Sequence, residues 1–348
     1  MKAIILVGGE GTRLRPLTYS VVKSMVPVLN RPFLEHVLCN LTMHDINEVV
    51  LAMGYKPDSI YEYFKSSPLT AIKLTYSLET KPLGTAGAVK LAGEHINRTF
   101  FVLNGDVFTD IDFTDMLRFH RENSAMATIA LTHVDDPTRF GVVETGADFR
   151  VQRFIEKPAP DKITSHWINA GVYILEPSVL DNIPAGEFYM FERGVFPTLL
   201  VKGERVYAYQ SKSYWIDMGT PAKYHQLNMD ILRGACTSSL YTGGNISVGE
   251  GSSVDPSCEI KGPVLMGNEC RLERNVRITG PAVIGNRCHL KQDCKIENSL
   301  LWNKIVIGSQ AEIINSIIAS GANIEDNAHL RDQTYNHEAP TDDGGKKT

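Results

Sequence analysis

Hydrophobic and polar positions follow one pattern over residues 1–235 and another from residue 245 onward. In the first part, short apolar runs alternate with stretches in which apolar residues recur at helical spacing. Because short continuous apolar runs are typical of buried strands, the alternation predicts a mostly parallel sheet flanked by helices, with ligands at the carboxyl ends of its strands. Strands are expected at residues 1–7, 48–53, 72–78, 99–103, 125–131 and 167–175. Helices are expected at residues 33–43 and 57–65, at residues 89–93 with residues 83–88 opening the helix, and through residues 224 and 227 with Pro221 early in the helix.

From residue 245, apolar residues recur at every sixth position. This first lane consists of Val248, Val254, Ile260, Met266, Leu272, Ile278, Ile284, Leu290, Ile296 and Trp302. A period of six fits neither a helix nor an ordinary strand and is the signature of a hexapeptide β-helix. The period loses its phase after Trp302 and resumes at Ile318, so a local irregularity of the solenoid is expected there.

A second lane of small or apolar residues has the same period. It contains Ser252, Cys258, Val264, Cys270, Val276, Ala282, Cys288, Cys294, Leu300 and Val306. Because the spacing of its four cysteines follows from the repeat, we expect core thiols rather than metal ligands or disulfides. Some hexapeptide β-helices are acyltransferases with a histidine base, but His289 and His329 are more simply explained as solvated side chains.

These patterns predict three segments. The first domain is expected at residues 1–235, the hexapeptide β-helix at residues 236–335, and a disordered tail at residues 336–348, which is short and polar. The β-helix is expected to be parallel and left-handed, and to mediate homo-oligomerisation or regulation.

The strand at residues 1–7 runs directly into a glycine-rich segment. Gly8, Gly9 and Gly11 let the backbone bend tightly and approach a ligand. Successive amide N–H groups and a following helix N-terminus would then face an anion. Positive charge is added by Arg13, Arg15 and Lys23. The segment therefore predicts a phosphate-binding loop rather than a plain surface turn.

Two common phosphate motifs do not match this loop. No Gly-Lys-Ser/Thr follows the glycines, so it is not a Walker loop. Leu14 stands where a dinucleotide fingerprint has its third glycine, and the strand at residues 48–53 ends without an acid to hold a ribose. Both observations disfavour a nicotinamide-binding site.

The run Gly-Gly-Glu-Gly-Thr-Arg-Leu-Arg-Pro-Leu-Thr at residues 8–18, followed by Lys23 and Met-Val-Pro-Val at residues 25–28, closely resembles the signature of sugar-1-phosphate nucleotidyltransferases. Val22 departs from it, since many members have proline there. Further segments resemble the family's motifs in the expected order; they are Asn104-Gly105-Asp106, Glu156-Lys157-Pro158, Trp167–Leu175 and Trp215–Thr220. The resemblance implies a Rossmann-like, GT-A-like mixed α/β sheet followed by the β-helix.

The resemblance also implies the reaction, in which a nucleoside triphosphate and a sugar 1-phosphate give a nucleotide sugar and pyrophosphate. The nucleotide-binding residues it implies are Gly8, Gly9, Gly11, Thr12, Gly84 and Thr85, and the sugar-binding residues are Gly141, Glu156, Asn169 and Gly171. The catalytic residues it implies are Arg13, Lys23, Asp106, Lys157 and Asp217. Asp106 and Asp217 would hold Mg²⁺, which prefers hard oxygen ligands; taken alone, each could equally be a turn acid.

Residues 83–88, Leu-Gly-Thr-Ala-Gly-Ala, resemble the base-site segment of mannose-1-phosphate guanylyltransferases, which favours GTP and mannose 1-phosphate. Glucose-1-phosphate thymidylyl- and uridylyltransferases stay open as alternatives. Some relatives with this layout are non-catalytic regulatory subunits, but those typically lose the glycine loop or the metal acids, which are intact here.

Composition, net charge and the length of the apolar runs exclude some classes of function. The chain is 43% hydrophobic and 22% charged, which is ordinary for a globular protein. A formal net charge of -5 argues against non-specific nucleic-acid binding. No apolar run approaches the ~18 residues that cross a membrane, and the apolar start is too short for a signal peptide. A cytoplasmic protein with reduced thiols is expected.

Overall fold

The computed structural model describes residues 1–66, 69, 71–241 and 243–339. The chain divides into two units. The first, which we term the sheet unit, consists of Met1–Gly9 and Val37–Ile216. The second, the β-helix unit, consists of Glu10–His36 together with the chain from Asp217 onward.

Among the residues that the structure describes, thirteen strands and six α-helices precede the β-helix. The strands are β1 Lys2–Leu6, β2 Pro27–Val28, β3 Arg31–Pro32, β4 Glu48–Met53, β5 Lys73–Leu78, β6 Phe100–Asn104, β7 Val107–Thr109, β8 Ala127–His133, β9 Gly141–Thr145, β10 Val151–Glu156, β11 Trp167–Leu175, β12 Val206–Gln210 and β13 Trp215–Asp217. The helices are α1 Phe33–Thr42, α2 Asp58–Lys65, α3 Gly84–Ala92, α4 Phe113–Glu122, α5 Phe196–Val201 and α6 Pro221–Leu232.

The main sheet is mixed. Its order is β10-β9-β11-β6-β1-β4-β5, and β8 pairs with both β11 and β12. Strands β6, β1, β4 and β5 are parallel, whereas β11 is antiparallel to β6, β8 and β9. The predicted mostly parallel sheet is therefore wrong for the half beyond β6, and the mixed sheet that the resemblance implied is confirmed.

The parallel half brings four chain segments to one edge. Parallel strands in register end together, so the residues that follow β1, β4, β5 and β6 share the carboxyl edge of the sheet. These residues include Gly8, Gly54, Glu79 and Asp106. Beneath the edge, Ile4, Phe100 and Val102 are fully buried, which anchors the strand ends in a packed core.

In the described part of the β-helix unit, the solenoid contains three parallel sheets of six, five and five strands. The first contains Ile246–Val248, Val264–Met266, Ala282–Ile284, Leu300–Leu301, Ile317–Ile318 and Thr334–Tyr335; the second contains Ser253–Val254, Arg271–Leu272, His289–Leu290, Val306–Ile307 and Asn323–Ile324; the third contains Glu259–Lys261, Arg277–Thr279, Lys295–Glu297, Glu312–Ile314 and His329–Arg331. The predicted β-helix is confirmed.

The solenoid changes its period before Trp302, not after it as predicted. Thr279 pairs with Glu297, 18 residues on, but Val283 pairs with Leu300, 17 residues on. One coil corner is thus a residue shorter, and Leu301 rather than Trp302 pairs with Ile284. The Trp302 indole instead donates a hydrogen bond to the Tyr224 hydroxyl at 2.9 Å.

The four lane cysteines are free thiols, as predicted. Cys270, Cys288 and Cys294 are buried, and Cys258 is half-buried. The Cys270 and Cys288 thiols each donate to a backbone carbonyl of the next coil at 3.0 Å. They therefore belong to the packing of the solenoid.

Segment 10–36 packs with the β-helix unit through specific polar contacts. The Leu29 amide donates to Asn228 Oδ1 at 2.9 Å, and the Asn30 side chain donates to the Ile284 carbonyl at 2.9 Å. His225 of α6 contacts the Asn298 carbonyl at 2.7 Å. These contacts explain why the two units are not divided at residue 235.

The end of the chain is described as far as residue 339. Residues 336–339 of the predicted disordered tail form a turn, in which the buried Asn336 donates to the Pro16 carbonyl at 2.9 Å. The rest of that tail, residues 340–348, lies outside the described residues. No helix within the described ranges is long and apolar enough to span a membrane.

Candidate functional site

The glycine segment after β1 belongs to both units. Gly8 and Gly9 are the last residues of the sheet unit's first segment, and Gly11, Thr12 and Arg13 belong to the β-helix unit. Gly11 has φ 67°, and an added Cβ would lie 3.0 Å from both Lys23 Cβ and Thr18 Cγ2. Glycine is therefore required at residue 11, whereas the space around Gly9 is open.

The helix predicted to follow this segment is absent. Thr12–Leu14 is a three-residue 3-10 helix instead, and Thr12 and Arg13 are exposed. The Thr18 hydroxyl donates to the Gly11 carbonyl at 2.8 Å and fixes the bend. The bend therefore offers an anion its own exposed residues, Thr12 and the cation Arg13, rather than the N-terminus of an α-helix.

A cation–carboxylate cluster lies in the β-helix unit. Arg13 Nη2 lies 3.7 Å and Lys23 Nζ 3.9 Å from the Asp217 carboxylate. Lys23 is 9% exposed. A Cβ at Gly219 would lie 3.0 Å from both Arg13 Nη2 and Asp217 Oδ1, so glycine makes room for the cluster. Arg13 and Lys23 therefore place two cations beside Asp217, which suits the neighbourhood of an anionic ligand.

Asp106 stands at the carboxyl edge in the sheet unit. The preceding residue, Gly105, donates its amide to the Leu6 carbonyl at 2.9 Å, and a Cβ at Gly105 would lie 2.4 Å from that oxygen. The backbone before Asp106 is therefore fixed against β1. Asp106 itself is half-buried.

A polar group surrounds Gly171 on β11. Gly171 has φ 72°, and its added Cβ would lie 2.6 Å from Asn104 Nδ2. Asn169 accepts the Gly171 amide at 2.9 Å and donates to the Tyr173 hydroxyl at 2.7 Å. Asn104 Oδ1 is buried and accepts no hydrogen bond from the described part of the chain. Such an oxygen is suited to accept a ligand hydroxyl.

Glu156 and Lys157 follow one another at the end of β10. Lys157 has φ 48°, and its amide donates to the Phe140 carbonyl at 3.0 Å. Lys157 Nζ lies 3.7 Å from Glu156 Oε1. An added Cβ at Gly141 would lie 2.6 Å from the Phe154 ring and 3.0 Å from Glu156 Oε2, so Gly141 admits both side chains.

The predicted base-site segment begins α3. Gly84 has φ 71°, and its added Cβ would lie 2.6 Å from the Tyr189 carbonyl. That carbonyl accepts the amides of Ala86 and Gly87 at 3.0 and 3.1 Å. The Thr85 hydroxyl donates to Glu192 Oε2 at 3.3 Å. These bonds fix the start of α3 against residues 189–192.

Glu192 and Glu79 are two acids that the sequence did not single out, and they lie close to the predicted nucleotide-binding residues Thr85 and Gly8. Burial raises the pKa of Glu192, and the negative charge of Glu156 raises it further. Glu79 accepts the Leu83 amide at 3.0 Å and approaches the backbone of Gly8 and Gly54. Neither acid lies in a recognisable motif, so only the fold could identify them.

The two predicted metal ligands are both carboxylates, a set that suits a metal ion bound together with a nucleotide rather than a metal ion held by the protein alone. Within the described ranges, no group of three or more His, Cys, Asp or Glu is placed to hold a metal ion. Mg²⁺ bridging substrate phosphates needs one or two carboxylates and keeps several waters. Asp106 of the sheet unit and Asp217 of the β-helix unit are carboxylates of this kind.

The structure thus groups the predicted residues by unit. The sheet unit contains Gly8, Gly9, Gly84, Thr85, Asp106, Gly141, Glu156, Lys157, Asn169 and Gly171, and the β-helix unit contains Gly11, Thr12, Arg13, Lys23 and Asp217.

Comparison with known proteins finds similar sequences and a similar crystal structure. The chain is 40% identical over 272 residues to mannose-1-phosphate guanylyltransferase of Mycobacterium tuberculosis, covering 76% of this chain and 74% of that protein. It is 35% identical over 353 residues to mannose-1-phosphate guanylyltransferase 1 of Arabidopsis thaliana, covering 97% and 94%. The crystal structure of HddC from Yersinia pseudotuberculosis complexed with GMP-PN superposes with a TM-score of 0.58 at 28% identity, covering 66% of this chain and 99% of that chain.

Two families match successive parts of the chain. Residues 239–335 match the LbH domain of EIF2B subunit epsilon, in agreement with the left-handed β-helix. Residues 2–234 match the nucleotidyl transferase family. With a family match over most of its length and relatives at 35–40% identity, the chain belongs to the nucleotidyl transferase family.

Proposed function

We propose that the protein is a mannose-1-phosphate guanylyltransferase, which converts GTP and mannose 1-phosphate into GDP-mannose and pyrophosphate. The observation that carries the proposal is that Arg13, Lys23, Asp106, Lys157 and Asp217 are all present in a chain that aligns over 97% of its length with a relative of that name. A regulatory subunit without activity would not need the cation cluster around Asp217.

In the proposed reaction, a phosphate oxygen of mannose 1-phosphate attacks the α-phosphorus of GTP. The bond to the bridging oxygen breaks, and pyrophosphate leaves with its electron pair. Such a transfer depends on positioning and charge stabilisation, without a covalent intermediate. The amides of Gly8, Gly9, Gly11 and Thr12 bind the triphosphate in this scheme.

The cations have separate roles. Arg13 and Lys23 stabilise the charge that develops on pyrophosphate, a role supported by the position of both cations beside Asp217. Lys157 holds the attacking phosphate, which suits its 61% exposed side chain. Stabilising charge where it develops is commonly the largest contribution to a rate enhancement.

Members of this family generally use a divalent metal ion. We propose that Asp106 and Asp217 are the carboxylate ligands of Mg²⁺, which when bound would neutralise phosphate charge and favour displacement at phosphorus.

Sugar recognition is assigned to the groups around Gly171 and Gly141. Glu156 accepts sugar hydroxyls, and Asn169 holds the backbone beside them. Asn104 Oδ1, which is buried and unpartnered in the described part of the chain, supplies a further acceptor. Gly84 and Thr85 belong to the base site in this scheme, and their contacts with Tyr189 and Glu192 hold that segment in place.

The proposal is tested by pyrophosphate release from a grid of nucleoside triphosphates and sugar 1-phosphates, with and without Mg²⁺. We expect GTP with mannose 1-phosphate to exceed every other pair by at least about tenfold in kcat/KM. Strongest release with dTTP or UTP and glucose 1-phosphate would replace the substrates. Silence of a folded protein across the grid would favour the regulatory-subunit alternative.

We also propose a homo-oligomer formed through the first coil of the β-helix. Ile246, Val248 and Val254 on that coil are 43%, 45% and 38% exposed, and their strands stand at the ends of their sheets. Open strand edges with exposed apolar residues favour association. Light scattering of the full chain should give a mass of at least twice 38.6 kDa. Replacing Val248 and Val254 with glutamate should lower that mass. A monomeric wild type would contradict the proposal.

A further inference from the structure

The strand Thr334–Tyr335 of the solenoid leads directly into Asn336, which is 3% exposed. The Tyr335 carbonyl accepts the Ala319 amide at 2.8 Å, so the backbone before Asn336 is fixed to the neighbouring coil. Asn336 Oδ1 accepts the Glu338 amide at 3.0 Å, which fixes the orientation of the side-chain amide. The solenoid therefore presents the Asn336 amino group from a defined position.

The Asn336 amino group holds segment 10–36 at two points. Nδ2 donates to the Pro16 carbonyl at 2.9 Å and to Ser20 Oγ at 3.2 Å. Together with the bond from the Glu338 amide, every polar atom of the side chain is engaged within the β-helix unit. Any buried asparagine is expected to find partners, so the consequence of this contact depends on which residues the held segment carries.

The two points of contact lie between the two cations of the cluster with Asp217. Arg13 precedes Pro16 by three residues, and Lys23 follows Ser20 by three residues. The Arg13 guanidinium and the Lys23 ammonium lie 3.7 and 3.9 Å from the Asp217 carboxylate. The Asn336 contacts therefore restrain the chain on the inner side of both cations.

Thr18 carries the same restraint to the glycine bend. It lies between Pro16 and Ser20, is 5% exposed, and donates its hydroxyl to the Gly11 carbonyl at 2.8 Å. A displacement of residues 16–20 would therefore move the bend at Gly11 together with the cations.

We infer that Asn336 is a positioning residue for the departure of pyrophosphate, because its hold on Pro16 and Ser20 keeps Arg13 and Lys23 in place beside Asp217. The inference rests on the proposed function, which assigns both cations to pyrophosphate. Asn336 acts through segment 10–36 rather than on the substrate. Charge stabilisation depends on groups that are in place before the reaction, so a small displacement of the cations weakens it. The last coil of the solenoid thus supports a segment 320 residues earlier in the chain.

The test is the reverse reaction of pyrophosphate with GDP-mannose, in which pyrophosphate binds where it leaves in the forward reaction. Asn336→Leu has a similar size and makes no hydrogen bond, while the Pro16 carbonyl keeps the Tyr19 amide at 3.3 Å. We expect the KM for pyrophosphate to rise about tenfold and kcat to fall by about the same factor. The KM for GDP-mannose should stay within about twofold of the wild-type value. A loss of folded protein would lower kcat and leave both KM values unchanged.

Two further variants complete the test. Asn323→Leu makes the same change at an exposed position of the solenoid and should keep both wild-type KM values. Ser20→Ala removes one of the two contacts at an exposed residue and should raise the KM for pyrophosphate about threefold. It keeps the test decisive where Asn336→Leu does not fold.

An active wild type whose KM for pyrophosphate is unchanged by Asn336→Leu would overturn the inference. Where that variant does not fold, an unchanged KM in Ser20→Ala would overturn it equally. A folded wild type that is inactive with every nucleoside triphosphate and sugar 1-phosphate would instead overturn the proposed function, before any variant is made. A wild type that prefers dTTP or UTP would replace the proposed substrates, and the same variants would then be measured with the corresponding nucleotide sugar.

Discussion

Replacing Asp106 with asparagine is expected to reduce turnover by roughly a thousandfold, because it removes a carboxylate that would bind the metal at the reacting phosphates. Asparagine has nearly the same shape and can occupy the same site. The backbone before it is fixed independently by the bond between the Gly105 amide and the Leu6 carbonyl. The free energy of unfolding should therefore change by less than about 1 kcal/mol.

The effect of Asp106→Asn is measured by pyrophosphate release at saturating GTP and mannose 1-phosphate, and its stability by urea denaturation. Asp161→Asn, at an exposed site in a 3-10 helix, is the matched control and should be indistinguishable from wild type. A second readout is the Mg²⁺ dependence of GTP binding by calorimetry, which Asp106→Asn should weaken. Near-normal turnover of Asp106→Asn would exclude Asp106 from the metal site.

Local patterns in the sequence were sufficient to predict much of the fold. The apolar run of β1 and the six-residue period of the solenoid are each encoded in neighbouring residues, so pattern alone locates them. The coil corner between Glu297 and Leu300 could not be located from the pattern. It is one residue shorter, so the positions that face inward shift by one residue, but apolar residues continue along the chain without a visible break. Trp302 was misassigned for this reason.

Contacts between distant residues could not be predicted in this way. The association of segment 10–36 with the β-helix unit depends on single hydrogen bonds such as Leu29 to Asn228, 199 residues apart. Glu79 is a similar case, since a lone acid after a strand forms no motif. Its approach to Gly8 follows from the parallel pairing of β1, β4 and β5, which local composition does not specify.

Lys157→Met is expected to lower kcat/KM for mannose 1-phosphate by roughly a hundredfold, because one charge-assisted contact to a phosphate dianion is lost. Lys157 is held at φ 48° by the bond from its amide to the Phe140 carbonyl. A positive φ is uncommon for a long side chain, and its cost is accepted where the side chain must point in a required direction. Methionine preserves that backbone and most of the side-chain length while removing the charge.

The loss should appear chiefly as a higher KM for the sugar phosphate, with the Kd of GTP unchanged, since Lys157 is assigned to the attacking phosphate rather than to the nucleotide. Arg153→Met is the matched control, because Arg153 is an exposed cation on β10, the strand that directly precedes Lys157, and its guanidinium lies 3.9 Å from the Glu144 carboxylate. If long-range charge alone assisted binding, both variants would raise KM to a similar extent. A selective effect of Lys157→Met would mean direct contact with the phosphate, and equal effects would contradict it.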